Sequence, residues 1–356
     1  MYMPGTVKNV GNQMKAKRMV AAATATVMCA GLLAGCGDTS PASGSAASDS
    51  SNLKEVNYIL ATRSEFQSAL SASMVAAGEE MGYKVVIQNG DSDVAKQIQY
   101  IETCRNAGQE AVLCQPVDAD STQSLIDAAG DMAIVFVNCQ PTNLSELEAD
   151  HVAYVGSNED TAGYFQGEYL AEYFKAQGKK EVSYIMLQGQ LGYVATTKRT
   201  ESAIKGMTDN GITAKAATAD LVADFDRPTA QEMIAPILVS GTEYDCILAN
   251  NDAMALGAVE ACKAAGIDPA TVPICGIDCT ADGAQAVANG EMAMTVFQNP
   301  VGQGSAAIQA AINIVNGEPL NAHTGYELDD AGEAYSDSII WVPFEPVTKD
   351  NVADYM

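Results

Sequence analysis

From Lys54 onward, apolar runs of strand length alternate with stretches whose apolar positions recur at helical spacing. The runs predict strands at 56–61, 84–88, 111–115, 133–138, 151–155, 182–187, 213–218, 245–249, 273–277 and 292–297. Between them the spacing predicts helices at 65–81, 93–106, 121–129, 161–177, 195–210, 228–240, 252–265, 280–289 and 301–316. Gly82, Gly108, Gly178, Gly211, Gly266 and Gly317 each follow a helical stretch, and glycine there is a stop signal. Strand and helix alternating in this way is the pattern of doubly wound parallel sheets. So many strands fit two sheets of about five better than one sheet.

Several of the runs end in polar residues. Cys246 to Ala249 leads into Asn250-Asn251-Asp252 and then a helix with Met254, Leu256, Val259 and Cys262 at helical spacing. In the same way 135–137 ends in Asn138, and 274–277 ends in Asp278. The carboxyl ends of strands, beside helix amino termini, are where open α/β sheets bind small ligands. Three such side chains suggest one shared polar pocket. Each also has an ordinary reading, Asn138 and Asn251 as helix caps or turn residues and Asp278 as a turn residue before Thr280.

At 356 residues the chain fits two lobes with appendages. Its 45 acidic and 19 basic residues give a net charge of −26, which argues against nucleic acid or an anionic membrane as partner of the folded part. Residues 1–36 read as a targeting segment. Lys15, Lys17 and Arg18 precede an apolar stretch at 19–33, too short for a span of about 20 residues, which ends in Leu33-Ala34-Gly35-Cys36. This order resembles a bacterial lipoprotein signal, in which cleavage leaves Cys36 as a lipid-modified amino terminus; an ordinary signal peptide or loose anchor is the alternative. Four basic residues and no acid precede Cys36, so a chain starting there has 15 against 45 and carries −30. Residues 37–53, mostly Ser, Ala, Gly and Asp, bury too little apolar surface to fold and read as a flexible linker.

Beyond Cys29 and Cys36, seven cysteines remain, most in apolar stretches where a free thiol behaves as a small hydrophobe. Cys275 and Cys279 bracket Asp278, but C-x-x-x-C without further ligands gives little ground for a metal. Neither His151 nor His323 has metal or Ser-His-Asp spacing. Gly189-Gln190-Leu191-Gly192 lacks the Gly-Lys-Ser/Thr ending of a phosphate loop and reads as a backbone turn.

Asn250-Asn251-Asp252-Ala253-Met254-Ala255, followed by Gly257-Ala258-Val259-Glu260-Ala261, closely resembles a stretch of the bacterial galactose/glucose-binding proteins. The likeness continues in Ile134-Val135-Phe136-Val137-Asn138, Tyr154-Val155-Gly156-Ser157, 189–199, Val342-Pro343-Phe344 and Lys349-Asp350-Asn351. The resemblance implies a type I periplasmic-binding-protein fold, two α/β lobes joined by three crossovers with a monosaccharide in the cleft. It divides the chain into an amino-terminal lobe at 54–155 plus 299–342 and a carboxy-terminal lobe at 156–298 plus 343–356.

Carried over position by position, Phe66 and Phe225 match the aromatics that sandwich the sugar ring, with Phe225 where the family usually has Trp and two residues inserted after it. Asn138, Asn251, Asp278 and Gln298 match positions that bond sugar hydroxyls. Arg199 matches a cationic donor whose planar fork bridges a ring oxygen and a hydroxyl. Without the resemblance, Phe66 and Phe225 could be core aromatics, Arg199 a solvated helix charge, and Tyr193 either pocket wall or surface. The departures are Ser64 where a galactose binder has Asp, Tyr193 where it has His, and Ala195 where it has a second Asp. They remove two carboxylate acceptors and point away from glucose and galactose. The family's calcium loop is unmatched at 177–182.

The resemblance implies a lipid-anchored, extracytoplasmic, monomeric substrate-binding protein of an ABC sugar importer. Its partners are then a neutral monosaccharide, the ABC permease and the membrane that holds Cys36. The alternative is a sugar-sensing module that presents its ligand to a chemoreceptor or histidine kinase. No cofactor, metal or catalytic residue is expected: the matched set offers one carboxylate, Asp278, among amides, where a glycosidase needs a paired acid and base.

Overall fold

The computed structural model describes residues 54–356. The targeting segment at 1–36, with Cys36, and the linker at 37–53 lie outside the described residues. The first lobe begins with β1 (Lys54–Leu60), α1 (Glu65–Glu80), β2 (Tyr83–Asn89), α2 (Val94–Asn106), β3 (Ala111–Cys114), α3 (Thr122–Ala129), β4 (Ala133–Val137) and β5 (Val152–Gly156). The chain then builds the second lobe from α4 (Glu159–Ala176), β6 (Glu181–Gln188), α5 (Val194–Asp209), β7 (Thr213–Ala216), β8 (Leu221–Val222), α6 (Arg227–Val239), β9 (Cys246–Ala249), α7 (Asp252–Ala264), β10 (Ile274–Cys275), α8 (Ala281–Asn289) and β11 (Met294–Gln298). It returns to the first with α9 (Pro300–Asn316), β12 (Glu327–Leu328) and β13 (Ile339–Trp341), and ends in the second with β14 (Phe344–Thr348).

The first sheet runs β12-β13-β5-β4-β3-β1-β2, parallel except where β12 meets β13. The second runs β14-β11-β10-β9-β6-β7, with β8 also on β6, and is parallel except where β14 meets β11. Parallel strands covered on both faces need unbroken apolar runs, and β3, β4, β5 and β9 are buried at every residue. On one face of the first sheet Leu113 and Val135 pack with Ala307 and Ile308 of α9; on the other, Ile59 and Phe136 pack with Leu125 of α3. In the second sheet Ile185 and Ile247 pack with Met254 and Val259 of α7, while Met186 and Leu248 pack with Leu170 and Met207.

Each sheet holds seven strands among the described residues, where the apolar runs suggest about five. The additional strands β8, β12 and β13 are only two or three residues long. The other addition, β14, contains Pro346 and lies at a sheet edge, where proline is tolerated. None of them carries a recognisable alternation.

What positions the site is the order of strands. In the first sheet β1 lies between β2 and β3, and in the second β6 lies between β7 and β9. Connections leave in opposite directions on either side of such a strand, which opens a crevice at the strand carboxyl ends. All seven cysteines among the described residues are free and buried. Burial pushes the thiols up, Cys104 and Cys262 to about 11, so they stay protonated.

Candidate functional site

A cavity of about 510 Å³ is lined from both crevices, a size ordinary for small-molecule sites. From the first lobe come Ser64, Phe66 and Gln67 after β1, Gln115 after β3, and Asn138 after β4. From the second come Glu159, Tyr193, Ala195, Arg199, Phe225, Asn251, Asp278 and Gln298. Thus Ser64, Phe66, Asn138, Tyr193, Arg199, Phe225, Asn251, Asp278 and Gln298 all face one space. Backbone strain gathers here too: Asn138, Asp224, Phe225 and Asp278 line the cavity with φ of 66°, 53°, 60° and 115°. Non-glycine residues hold that region only where the surroundings impose it, commonly at ligand sites.

The second-lobe wall is built on close helix packing. A Cβ on Gly163 of α4 would meet the Arg199 carbonyl oxygen of α5 at 2.1 Å, and one on Gly167 would meet that of Ala203 at 2.1 Å. This approach joins Glu159, at the start of α4, to Arg199. Arg199 donates from Nε to the Glu159 carboxylate at 2.5 Å and from Nη1 to the Asn250 carbonyl oxygen at 2.8 Å, and Nη1 lies 3.8 Å from Asp278 Oδ1. Burial works against the Arg199 charge, but Glu159 and Asp278 outweigh it and raise its pKa. Nε and one N–H of Nη1 are thus committed inside the protein, which leaves the second N–H of Nη1 and both of Nη2.

Asp278 is 7% exposed, and its carboxylate takes no protein hydrogen bond among the described residues. Burial raises its pKa well above the carboxylate range, against the pull of Arg199. Gln298, 1% exposed, has an Nε2 with no partner among the described residues. Its backbone amide donates to the Asp278 carbonyl oxygen at 3.2 Å, so the two side chains leave adjacent strand ends.

The triplet 250–252 divides its labour. Asn250 is fully buried and accepts from the Gly189 amide at 3.1 Å, tying the ends of β9 and β6. Asn251 caps α7 through the Met254 amide at 3.0 Å, and its Nδ2 donates to the Phe225 carbonyl oxygen at 3.4 Å, which leaves one N–H at the cavity wall. Asp252 accepts from the Thr295 hydroxyl at 2.6 Å and the Thr280 amide at 2.8 Å, pinning the turn that presents Asp278. Burial raises Asp252 to about 7, with those two bonds pulling the other way.

In the first-lobe wall, which also carries Arg63 and Glu65, the side chains around Asn138 are uncharged amides. Asn138 Oδ1 accepts from Gln67 Nε2 at 2.8 Å and from Gln115 Nε2 at 3.4 Å. Ser64 caps α1 through the Gln67 amide, so its hydroxyl serves the helix first. Phe66 is rooted in the core of its lobe. Phe225 lies on the backbone at Gly189, where a Cβ would meet its ring at 2.0 Å, which is why the Gly-Gln-Leu-Gly turn begins with glycine. Tyr193 tilts toward Phe225 with centroids 6.3 Å apart, and its hydroxyl donates to the Val117 carbonyl oxygen of the first lobe at 2.8 Å, a direct bond across the cleft.

The cavity holds more acids than the one in the matched set. Glu65, Glu159, Asp224 and Asp226 line the cavity besides Asp278, Glu159 being taken up by Arg199. Sequence reasoning passed over Glu159, Gln67 and Gln115. An acid in a helix's first turn, or a glutamine on a helix such as Gln67, carries no signal of burial, whereas Gln115 stands where the apolar run of β3 stops, as Asn138 does after β4.

The chain matches the family model described as periplasmic binding protein domain over residues 58–319. It is 33% identical over 276 residues to a Rhizobium meliloti protein named for rhizopine binding, covering 77% of this chain and 82% of that protein. It is 27% identical over 285 residues to the D-galactose/methyl-galactoside binding periplasmic protein of Haemophilus influenzae, covering 77% and 83%. An ABC transporter solute binding protein from Bacillus halodurans, solved with bound myo-inositol, superposes with a TM-score of 0.70 at 26% identity over 86% of this chain and 98% of that one. With two parallel-sheet lobes whose crevices share one cavity, and a family match over most of the described residues, the chain belongs to the periplasmic binding proteins, in their type I form.

Proposed function

We propose that the chain is the substrate-binding component of an ABC sugar importer, holding a neutral monosaccharide between its lobes. One observation carries the reading. Asp278 and Gln298 are each more than nine-tenths buried and leave adjacent strand ends toward one cavity; Gln298 Nε2 has no hydrogen-bond partner among the described residues, and the Asp278 carboxylate faces only the Arg199 guanidinium, 3.8 Å away. Leaving the Gln298 N–H₂ unpaired costs about 1–3 kcal/mol, and a ring hydroxyl, which both donates and accepts, can answer it and the carboxylate together. Asn138, Asn251 and Arg199 Nη2 supply further donors, and Phe66 and Phe225 supply an aromatic surface from each lobe. Glu159 offsets Arg199, so the buried wall has no spare positive charge for an anion.

In this reading the amino-terminal lobe is 54–155 plus 299–342, and the carboxy-terminal lobe is 156–298 plus 343–356. Ligand bonds to both lobes favour the closed form, which the permease then engages. Family membership supports an extracytoplasmic location, and the sequence at 33–36 supports a lipid anchor at Cys36. The relatives named above are binding proteins, which supports solute capture rather than catalysis. Calorimetric titration of the purified protein with pentoses, hexoses and inositols tests the proposal. Saturable one-site binding of a sugar is expected; a peptide or nucleotide as the sole binder would reject it.

A further inference from the structure

We infer that Gln67 and Gln115 are positioning residues that lock the Asn138 amide as a hydrogen-bond donor, making it select for a ligand oxygen that accepts. The inference rests on the sugar-binding reading above. An asparagine offers a carbonyl on one side and an N–H₂ on the other, and half a turn exchanges them. What a ligand meets is therefore set by the neighbours.

Here the chain of neighbours starts at a backbone donor, whose direction cannot flip. The Ala61 amide donates to Gln115 Oε1 at 3.1 Å, so Gln115 must turn Nε2 toward Asn138, donating to Oδ1 at 3.4 Å. Gln67, with its Oε1 held by the Tyr58 hydroxyl at 2.7 Å, donates to the same Oδ1 at 2.8 Å. On the far side Asn138 Nδ2 donates to Gln303 Oε1 at 3.4 Å, and Gln303 Nε2 donates to the Ser157 hydroxyl at 2.9 Å. The Tyr154 hydroxyl donates to the Asn138 carbonyl oxygen at 3.2 Å, holding the left-handed backbone.

A turned amide would set Nδ2 against two N–H₂ groups. Both lone pairs of Oδ1 are taken, so a ligand cannot donate to it. One N–H remains for the cavity that Asn138 lines. The hydroxyl that meets it acts as an acceptor, and a group that only accepts serves there as well.

Fluorine accepts and cannot donate, so it separates the roles. D-galactose, D-ribose and myo-inositol, each with its monodeoxy and monodeoxyfluoro analogues, are titrated into the purified full chain. At one ring position the deoxy analogue is expected to bind about tenfold more weakly while the fluoro analogue stays within about threefold of the parent. Asn138→Asp, which cannot donate, should abolish the fluorine rescue at that position alone. Gln67→Met with Gln115→Met frees the amide to turn and should bring the fluoro and deoxy analogues within about twofold of each other. Gln115→Met alone, at a partly buried site, gives a smaller change of the same sign if the pair does not fold. A parent that binds while fluoro and deoxy analogues are equally weak everywhere, or a ratio unmoved by the glutamine variants, overturns this inference alone. If none of the three binds, the tightest binder of the pentose, hexose and inositol screen takes their place, and failure of that whole screen overturns the sugar reading and this inference with it.

Discussion

The two walls of the cavity do different work with different chemistry. The first lobe offers an uncharged amide lattice in which Gln67, Gln115 and Gln303 surround Asn138. The second offers a buried charge cluster in which Arg199 is shared between Glu159 and Asp278, while Asp252 pins the turn beneath. Amides orient a ligand at modest cost and without regard to pH. Buried charges bind more strongly, but each depends on its partner, since removing one leaves the other desolvated and unpaired. The wall with more to give is also the one that breaks more easily.

Four changes sharpen that contrast, the largest first. Glu159→Gln strips Arg199 of its nearest counter-charge and should cost about 3–5 kcal/mol in denaturant unfolding. Asp278→Asn replaces an ionisable acceptor that no protein donor holds, and should weaken sugar binding by about 10- to 100-fold in calorimetry, with a smaller effect on stability.

Asp252→Asn tests pH dependence. The folded Asp252 value of about 7 lies above the unfolded value of about 4, so folding takes up a proton between them. That contribution is complete below the unfolded value and is lost as pH rises through about 7. Melting temperatures of the wild type should therefore fall from about pH 5 to about pH 8. The variant, which mimics the protonated acid, should fall less, Asp278 supplying the remaining slope. A variant profile parallel to the wild type would count against the assignment. Last, Tyr193→Phe removes one bond across the cleft, worth about 1 kcal/mol. Affinity should drop about fivefold, and small-angle scattering of the ligand-free protein should show more of the open form.

The alternation of strand and helix was legible because parallel strands buried on both faces have to be apolar throughout, as β4 and β9 are. The cavity side chains were approachable because Asn138, Asn251 and Asp278 stand where apolar runs stop. Glu159 was not legible: an acid after Asn158 at a helix start is ordinary dipole chemistry, and only the approach of α4 to α5 at Gly163 and Gly167 buries it against Arg199. Gln67 was hidden for a similar reason, its partner lying 71 residues away along the chain, whereas Gln115 stands where an apolar run stops and was as approachable as Asn138. Asp252 reads as a first-turn acid, and nothing local says that Thr280 and Thr295 close over it.

A crystal structure with the bound sugar tests the central claim most directly. The account predicts one ring between Phe66 and Phe225, its hydroxyls within hydrogen-bonding distance of Asn138, Arg199, Asn251, Asp278 and Gln298. A ligand seated outside this cavity, or one inside it that leaves Asp278 and Gln298 without a contact, would contradict it.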